Sequence, residues 1–135
     1  MNGVPSCAST DLLNGNLREK WGFDGYVTSD CGAVGNVERA HNYSSSDDET
    51  CAVTLGAGMD NDCGGFFGGA GGTLSKAIED GAVTKHVRET AMGNLVRVQM
   101  RLGMFDDDAE QPYRRYTTDR VDTPAHRSLA LEAAR

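Results

Sequence analysis

Two short β-prone segments, each followed by an acidic turn, constrain the fold of this chain more than any other feature. Residues 26–29 lead into Asp30, and a second apolar segment ends at Met59, just before Asp60. Helical sequence separates the two segments. Strands that alternate with helices form parallel sheets, so the pattern predicts an α/β sheet or barrel. Because two parallel strands alone would leave both edges unpaired, we expect the chain to be one slice of a larger fold.

Helix signals lie on both sides of these segments. Ser9 or Thr10 can cap a first helix, and Gly22 can end it. Its predicted apolar positions are Leu12, Leu13, Leu17 and Trp21. A proline in the first helical position opens a last helix after Thr123. Three more helices are predicted: residues 33–40, a short helix capped by Thr73, and a long helix capped by Thr84.

Glycine and cysteine limit how the chain is held together. The length of 135 residues is that of one ordinary domain, but 17 residues are glycine, which has no side chain to bury. The four cysteines are widely spaced, which argues against a zinc finger. They could form two disulfides in three pairings or remain buried thiols, and both alternatives stay open. They are Cys7, Cys31, Cys51 and Cys63.

Charge and hydropathy exclude several classes of partner. The net charge of −7 makes nucleic acid a poor partner, because a polyphosphate would be repelled. No apolar run approaches the roughly 18 residues of a membrane span. The opening MNGVPSCAST has neither the basic end nor the apolar core of a secretion signal, so nothing in the sequence as written is expected to export it.

The acidic turns are the candidate chemical sites. Asp30 follows a predicted strand, where a carboxylate can act as a nucleophile, a base or an acceptor for sugar hydroxyls. Its position alone favours a simpler role as the cap of the next helix. Asp60 and Asp62 begin like a calcium loop, but Gly64 stands where a third ligand is needed, so they are interpreted as structural caps. The glycine-rich residues 64–72 lack the lysine of a phosphate-binding loop and are predicted to be a flexible loop.

Four stretches together resemble glycoside hydrolase family 3, in order and in spacing. They are NGVPSCAS, LLNGNLREKWGFDGYVTSDCGAV, LGAGMDNDCGG and AVTKHVRETAMGNLVRVQMRLGMFD. The likeness is greatest to the β-xylosidase and α-arabinofuranosidase branch, which typically has Ser-Asp-Cys where many β-glucosidases have Ser-Asp-Trp. It implies that the fold is the C-terminal part of a (β/α)8 TIM-like barrel, incomplete as given.

The resemblance also implies roles for one short stretch. The aspartate of the Ser-Asp motif is the catalytic nucleophile in this family, which here is Asp30. Cys31 replaces a tryptophan that would stack on the sugar, and Gly32 would leave room for the sugar ring, so both are predicted to be substrate-binding. Gly32 departs from the aspartate common in the xylosidase branch. The implied substrate is a β-linked oligosaccharide, with no metal or organic cofactor and with neither nucleic acid nor membrane as partner.

The same resemblance predicts what the chain lacks. Residues 1–122 would be the C-terminal portion of the barrel domain, and residues 123–135 a helix or linker toward a second domain. The acid/base glutamate of the family lies beyond this region, so the chain alone is predicted to be inactive. The full protein would be secreted, or located in the cell wall or vacuole. The alternatives are a β-glucosidase of the same family and a non-catalytic carbohydrate-binding remnant.

Overall fold

The fold is built from helices, and a computed structural model describes residues 2–135. The first helix, Asp11–Lys20, is wound as a π-helix. It is followed by α1 (Ala33–Arg39), α2 (Asp47–Ala57), α3 (Thr73–Glu79), α4 (Lys85–Arg101) and α5 (Pro124–Ala133). Short 3₁₀ turns lie at Ser6–Ala8, Asp108–Glu110, Pro112–Arg115 and Thr118–Arg120. Each helix predicted from the sequence is therefore present.

The first helix shows why its predicted apolar stripe was partly wrong. The amide of Trp21 donates to the carbonyl of Asn16 at 3.0 Å, a bond that spans five residues. Such wide turns move later side chains around the axis relative to an α-helix. Leu13 is buried as predicted, but Trp21 is 68% exposed. The prediction that Trp21 faces inward is therefore wrong.

The predicted cap at Thr84 is confirmed, and Thr123, for which no cap was predicted, caps the last helix in the same way. The hydroxyls of Thr84 and Thr123 each accept a hydrogen bond, at 3.3 Å, from the amide three residues further on. The predicted cap at Thr73 is wrong, since Gly72 occupies the cap position of α3 and Thr73 is its first residue. Ser46 caps α2 by accepting from the Glu49 amide at 3.2 Å. Such caps satisfy amides that have no partner inside the helix.

The core within residues 2–101 forms around α2, which packs against α1, α3 and α4. Its buried face holds two threonines whose hydroxyls bond within the structure: Thr54 donates to the Thr50 carbonyl at 2.7 Å. Burying these hydroxyls without a partner would be costly. The buried apolar cluster comprises Leu13, Val34, Cys51, Leu55, Ala57, Met59, Phe66, Phe67, Ala77, Val83 and Ala91.

The two predicted strands are wrong as strands, although their parallel direction is right. Within residues 2–135 the only pairing of extended segments is one parallel bridge between Thr28 and Asn61. The amide of Val27 donates to the Asp60 carboxylate at 2.7 Å, so it is not available to extend a ladder. Two segments paired at one rung do not form a stable sheet. The (β/α)8 barrel itself stays a prediction.

The chain divides into two compact units, one ending at Arg101 and the other spanning Leu102–Arg135. The second unit contains α5 and three 3₁₀ turns, and a two-pronged ion pair joins Arg127 to Asp122 at 3.0 and 2.7 Å. The domain boundary after residue 122 stays a prediction. In the part of the chain that is described, no helix combines the length and the hydrophobicity needed to span a membrane.

Candidate active site

Asp30 lies in the turn between the first extended segment and α1, with its side chain exposed. Its Oδ1 accepts a hydrogen bond from the Cys31 amide at 2.9 Å. Gly32, with φ of +83°, occupies the cap position of α1, and the helix has no side-chain cap. The interpretation of Asp30 as a helix cap is therefore wrong. Its carboxylate makes no capping hydrogen bond to α1 and remains available for other chemistry.

A cavity of about 290 Å³ opens beside Asp30. Its apolar lining includes Leu13, Val27 and Met59, and Asp30 is the charged residue among those that line it. Cys7 also lines this cavity. Burial raises the pKa of its thiol, and the negative charges of Asp62 and Asp30 raise it further. Cys7 is therefore a neutral thiol near neutral pH, and the carboxyl group among the described residues that line this cavity is that of Asp30.

Asp62 is engaged in structural hydrogen bonds. Its Oδ1 accepts from the Ser29 hydroxyl at 3.3 Å, and its Oδ2 accepts from the Phe67 amide at 3.1 Å. The Ser29 hydroxyl in turn accepts from the Cys63 amide at 2.9 Å. These bonds tie the glycine-rich loop to the segment that carries Asp30. Asp62 is therefore structural, as predicted, but it caps none of the described helices.

Asp60 is also structural, and it is more deeply buried. Its side chain is 1% exposed and forms an ion pair with Arg18. It also accepts from the Val27 amide at 2.7 Å and from the side-chain amide of Asn94 at 2.9 Å. Arg18 further donates to the carbonyls of Gly25 and Gly58, at 3.0 and 3.2 Å. All of these groups are satisfied by one another, which matches the prediction that Asp60 is structural.

A disulfide joins Cys31 to Cys63 across 32 residues, with the two Cα atoms 4.2 Å apart. Cys7 and Cys51 remain free thiols. The four cysteines therefore form one disulfide and two thiols, which lies between the two alternatives of two disulfides and no disulfide. The sequence contains a signal for this pairing that the spacing of the cysteines alone does not reveal. Each of the two cysteines directly follows an acidic turn residue, in Ser-Asp-Cys and Asn-Asp-Cys, and the two turns end adjacent parallel segments.

The predicted substrate-binding residues flank Asp30 on its C-terminal side. Cys31 is exposed but bonded to Cys63, so a substrate would contact a disulfide at this position and not a free thiol. No atom lies within 4 Å of the position that a Cβ would take at Gly32, so the space above it is open. Both roles stay predictions. Among residues 2–135, no group of three or more His, Cys, Asp or Glu side chains is arranged to hold a metal ion.

The chain matches known proteins along its length. Residues 1–63 match the model of the glycosyl hydrolase family 3 N-terminal domain. The chain is 41% identical over 140 residues to a probable β-D-xylosidase 7 of Arabidopsis thaliana, and 39% identical over 137 residues to a probable exo-1,4-β-xylosidase of Aspergillus fumigatus. The matches take in 100% and 99% of this chain but 17% of each relative.

Solved structures show the same likeness. A family 3 exo-β-xylosidase in complex with a xylobiose aziridine probe superposes with a TM-score of 0.82, at 36% identity over 98% of this chain and 17% of that one. A β-glucosidase from Listeria innocua in complex with glucose superposes with a TM-score of 0.78, at 27% identity over 97% of this chain and 17% of that one. The backbone therefore takes the shape of one segment of these much longer chains.

Proposed function

We propose that this chain, whose residues 1–63 match the glycosyl hydrolase family 3 N-terminal domain, supplies the nucleophile of a retaining β-glycosidase acting on β-linked xylosides. The observation that carries the proposal is the state of Asp30. Oδ1 accepts one backbone hydrogen bond, and among residues 2–135 the structure records neither a hydrogen bond to Oδ2 nor an ion pair with Asp30. One oxygen is thus oriented by the chain while the other is unengaged.

This arrangement suits nucleophilic attack on a sugar. Oδ2 of Asp30 would bond to the anomeric carbon as the bond to the leaving-group oxygen breaks, giving a covalent glycosyl-enzyme. Water would then release the sugar with its original configuration. The Cys31 amide, bonded to Oδ1, would hold the carboxylate in one orientation through both steps. A retaining enzyme also needs a second carboxyl group, as general acid/base, about 5 Å from the first.

Asp62 does not qualify as that second carboxyl group. Its two oxygens accept hydrogen bonds from the Ser29 hydroxyl and the Phe67 amide. A general acid must present its proton to the leaving group, which these contacts prevent. We therefore assign only the nucleophile to the described residues, and activity is to be tested in the protein as its gene encodes it.

Removal of the Asp30 carboxylate tests the assignment. Asp30→Ala should lower kcat for an aryl β-xyloside by at least about 10³-fold, the order of loss that follows removal of a catalytic group. Added azide should restore part of the rate and yield the α-xylosyl azide, because the anion takes the place of the missing carboxylate. The matched control is Asp24→Ala, which removes an exposed carboxylate paired with Arg101 at the surface. Near-normal turnover by Asp30→Ala would refute the assignment.

A β-glucosidase is the second candidate, and the structural comparisons favour it as the alternative. Besides the Listeria enzyme, a β-glucosidase from Erythrobacter marinus superposes with a TM-score of 0.80 at 29% identity. The xylosidase relatives are more similar in sequence, which is why we prefer the xyloside. The ratio of kcat/KM for matched aryl xyloside and aryl glucoside separates the two, and a preference for the glucoside would overturn our choice of substrate.

A further inference from the structure

Hydrogen bonds and a disulfide join the turn that carries Asp30 to a single segment, residues 61–64, both before and after Asp30 in the sequence. On the N-terminal side, the Ser29 amide donates to the Asn61 carbonyl at 3.1 Å, and the Ser29 hydroxyl accepts from the Cys63 amide at 2.9 Å. On the C-terminal side, the Gly32 amide donates to the Cys63 carbonyl at 2.6 Å. The disulfide from Cys31 to Cys63 adds a covalent link. Asp30 is thus bracketed by fixed neighbours while its own side chain stays exposed.

Gly64 lets the two segments approach this closely. A Cβ built at Gly64 would lie 2.9 Å from the Cα of Gly32 and 3.3 Å from the carbonyl carbon of Cys31. Contacts with backbone atoms at such distances cannot be relieved by rotating a side chain. A methyl group at Gly64 would therefore push the turn that holds Asp30. Gly65 provides a contrast, since it also has positive φ, at +80°, but has no atom within 4 Å of its Cβ position.

We propose that Cys63 and Gly64 are positioning residues for Asp30. Together with the Cys31–Cys63 disulfide they form what we call the clamp, the set of contacts that holds the backbone next to Asp30 in place. The inference rests on the proposed role of Asp30 as nucleophile. The disulfide and the Cys63 carbonyl fix the backbone of residues 31 and 32, and the Cys31 amide fixes Oδ1 of Asp30. Attack on an anomeric carbon requires the carboxylate in near-attack geometry, where a displacement of about 1 Å costs about 10²-fold in rate.

The test measures formation of the glycosyl-enzyme itself. A 2-deoxy-2-fluoro-β-xyloside with a good leaving group bonds to the nucleophile and accumulates, and mass spectrometry of the digest locates the labelled residue. For Cys31→Ser/Cys63→Ser and for Gly64→Ala, we expect the labelling rate constant to fall about 10- to 100-fold. For Gly64→Ala, which leaves both cysteines in place, the dissociation constant of the reagent should change less than about threefold. Gly65→Ala should label at the wild-type rate.

Reversible opening of the disulfide provides a test without mutation. Dithiothreitol reduces the Cys31–Cys63 bond to two thiols and is itself oxidised, and oxidised glutathione re-forms the bond. Labelling of the wild-type protein should slow on reduction and recover on oxidation. The Cys31→Ser/Cys63→Ser variant should not respond to either reagent, which separates this bond from any other cysteine in the protein.

The outcomes separate the clamp from the nucleophile assignment. If the wild-type protein is labelled at a carboxylate other than Asp30, the assignment fails and the clamp with it. If Asp30 is labelled at the same rate in wild type, in the serine double variant and in Gly64→Ala, the clamp is overturned while the assignment stands. A purely structural role would lower the melting temperature of the variants but leave unchanged the labelling rate per folded molecule at low temperature.

Discussion

Asp60 offers the sharpest test of how the first unit is held together. Its carboxylate, with a side chain only 1% exposed, faces an arginine, Arg18, whose side chain is 18% exposed. It also accepts from the Val27 amide and the Asn94 side chain, at 2.7 and 2.9 Å. Asp60→Ala would leave the Arg18 charge and two hydrogen-bond donors without their acceptor. Arg18 would keep its hydrogen bonds to two backbone carbonyls and its contact with the Phe23 ring, neither of which carries a negative charge.

The expected loss is large because the charge left behind is mostly buried. Removal of one partner from a buried ion pair costs about 3–5 kcal/mol. The free energy of unfolding of a whole domain is about 5–15 kcal/mol, so Asp60→Ala should remove about a fifth of it or more. The surface pair of Asp24 and Arg101, with both side chains more than half exposed, supplies the contrast. Solvent screens such pairs, so Asp24→Ala should leave the urea midpoint nearly unchanged.

Urea unfolding followed by far-UV circular dichroism measures the difference. The helical signal is the suitable reporter, because the single tryptophan, Trp21, is 68% exposed and would change little on unfolding. With a slope of about 1–3 kcal/mol per molar urea, the midpoint for Asp60→Ala should fall by at least about 1 M at unchanged slope. Asp60→Asn keeps a hydrogen-bond acceptor but not the charge, so its urea midpoint should lie between those of Asp60→Ala and Asp24→Ala. Equal midpoints for Asp60→Ala and Asp24→Ala would refute the reasoning.

Three further outcomes are expected from the same unit. Ser46→Ala should lower the free energy of unfolding by about 1 kcal/mol in the same titration, because α2 loses its cap. Burial raises the pKa of the Cys51 thiol to about 12, so iodoacetamide at mildly alkaline pH should label Cys51 only after unfolding, as mass spectrometry can check. Loss of solvation raises the pKa of Glu38 above its ordinary value of 4.5, and the neighbouring Asp47 carboxyl group raises it further. Protonation of Glu38 therefore stabilises the folded chain. This contribution to the free energy of unfolding is fully present below about pH 4.5 and is lost as the pH rises through the raised pKa. Glu38→Gln, which mimics the protonated acid, should raise the melting temperature more near pH 7 than near pH 4.

The helices were readable from the sequence because their signals are local. Thr84 and Thr123 each precede a helix and cap it through an amide three residues away, so a short window holds all the information. The exceptions have local physical causes as well. Trp21 missed the core because the first helix is π-wound, which a periodicity of 3.6 residues does not anticipate.

The strands and the disulfide were not readable in the same way, because they depend on contacts between distant residues. The Val27 amide donates to the carboxylate of Asp60, 33 residues away, and so cannot donate to a neighbouring strand. No local sequence pattern predicts this long-range hydrogen bond. The pairing of Cys31 with Cys63 follows from the parallel approach of two turns. Its signal, a cysteine after each acidic turn, was present but becomes meaningful only when those turns are placed side by side.

The three aspartates of these two segments show why position alone misjudged Asp30. In sequence each looks alike, an acid at the end of a short apolar stretch. In the structure, Asp60 is neutralised by a largely buried arginine, and both oxygens of Asp62 are held by a hydroxyl and an amide. Asp30 alone keeps an exposed carboxylate, in a turn whose backbone is fastened on both sides. The charge of a structural acid is used by partners within the fold, whereas a nucleophile has to stay accessible while its neighbours hold it in place. Asp30 fits the second description, which supports the role that we propose for it.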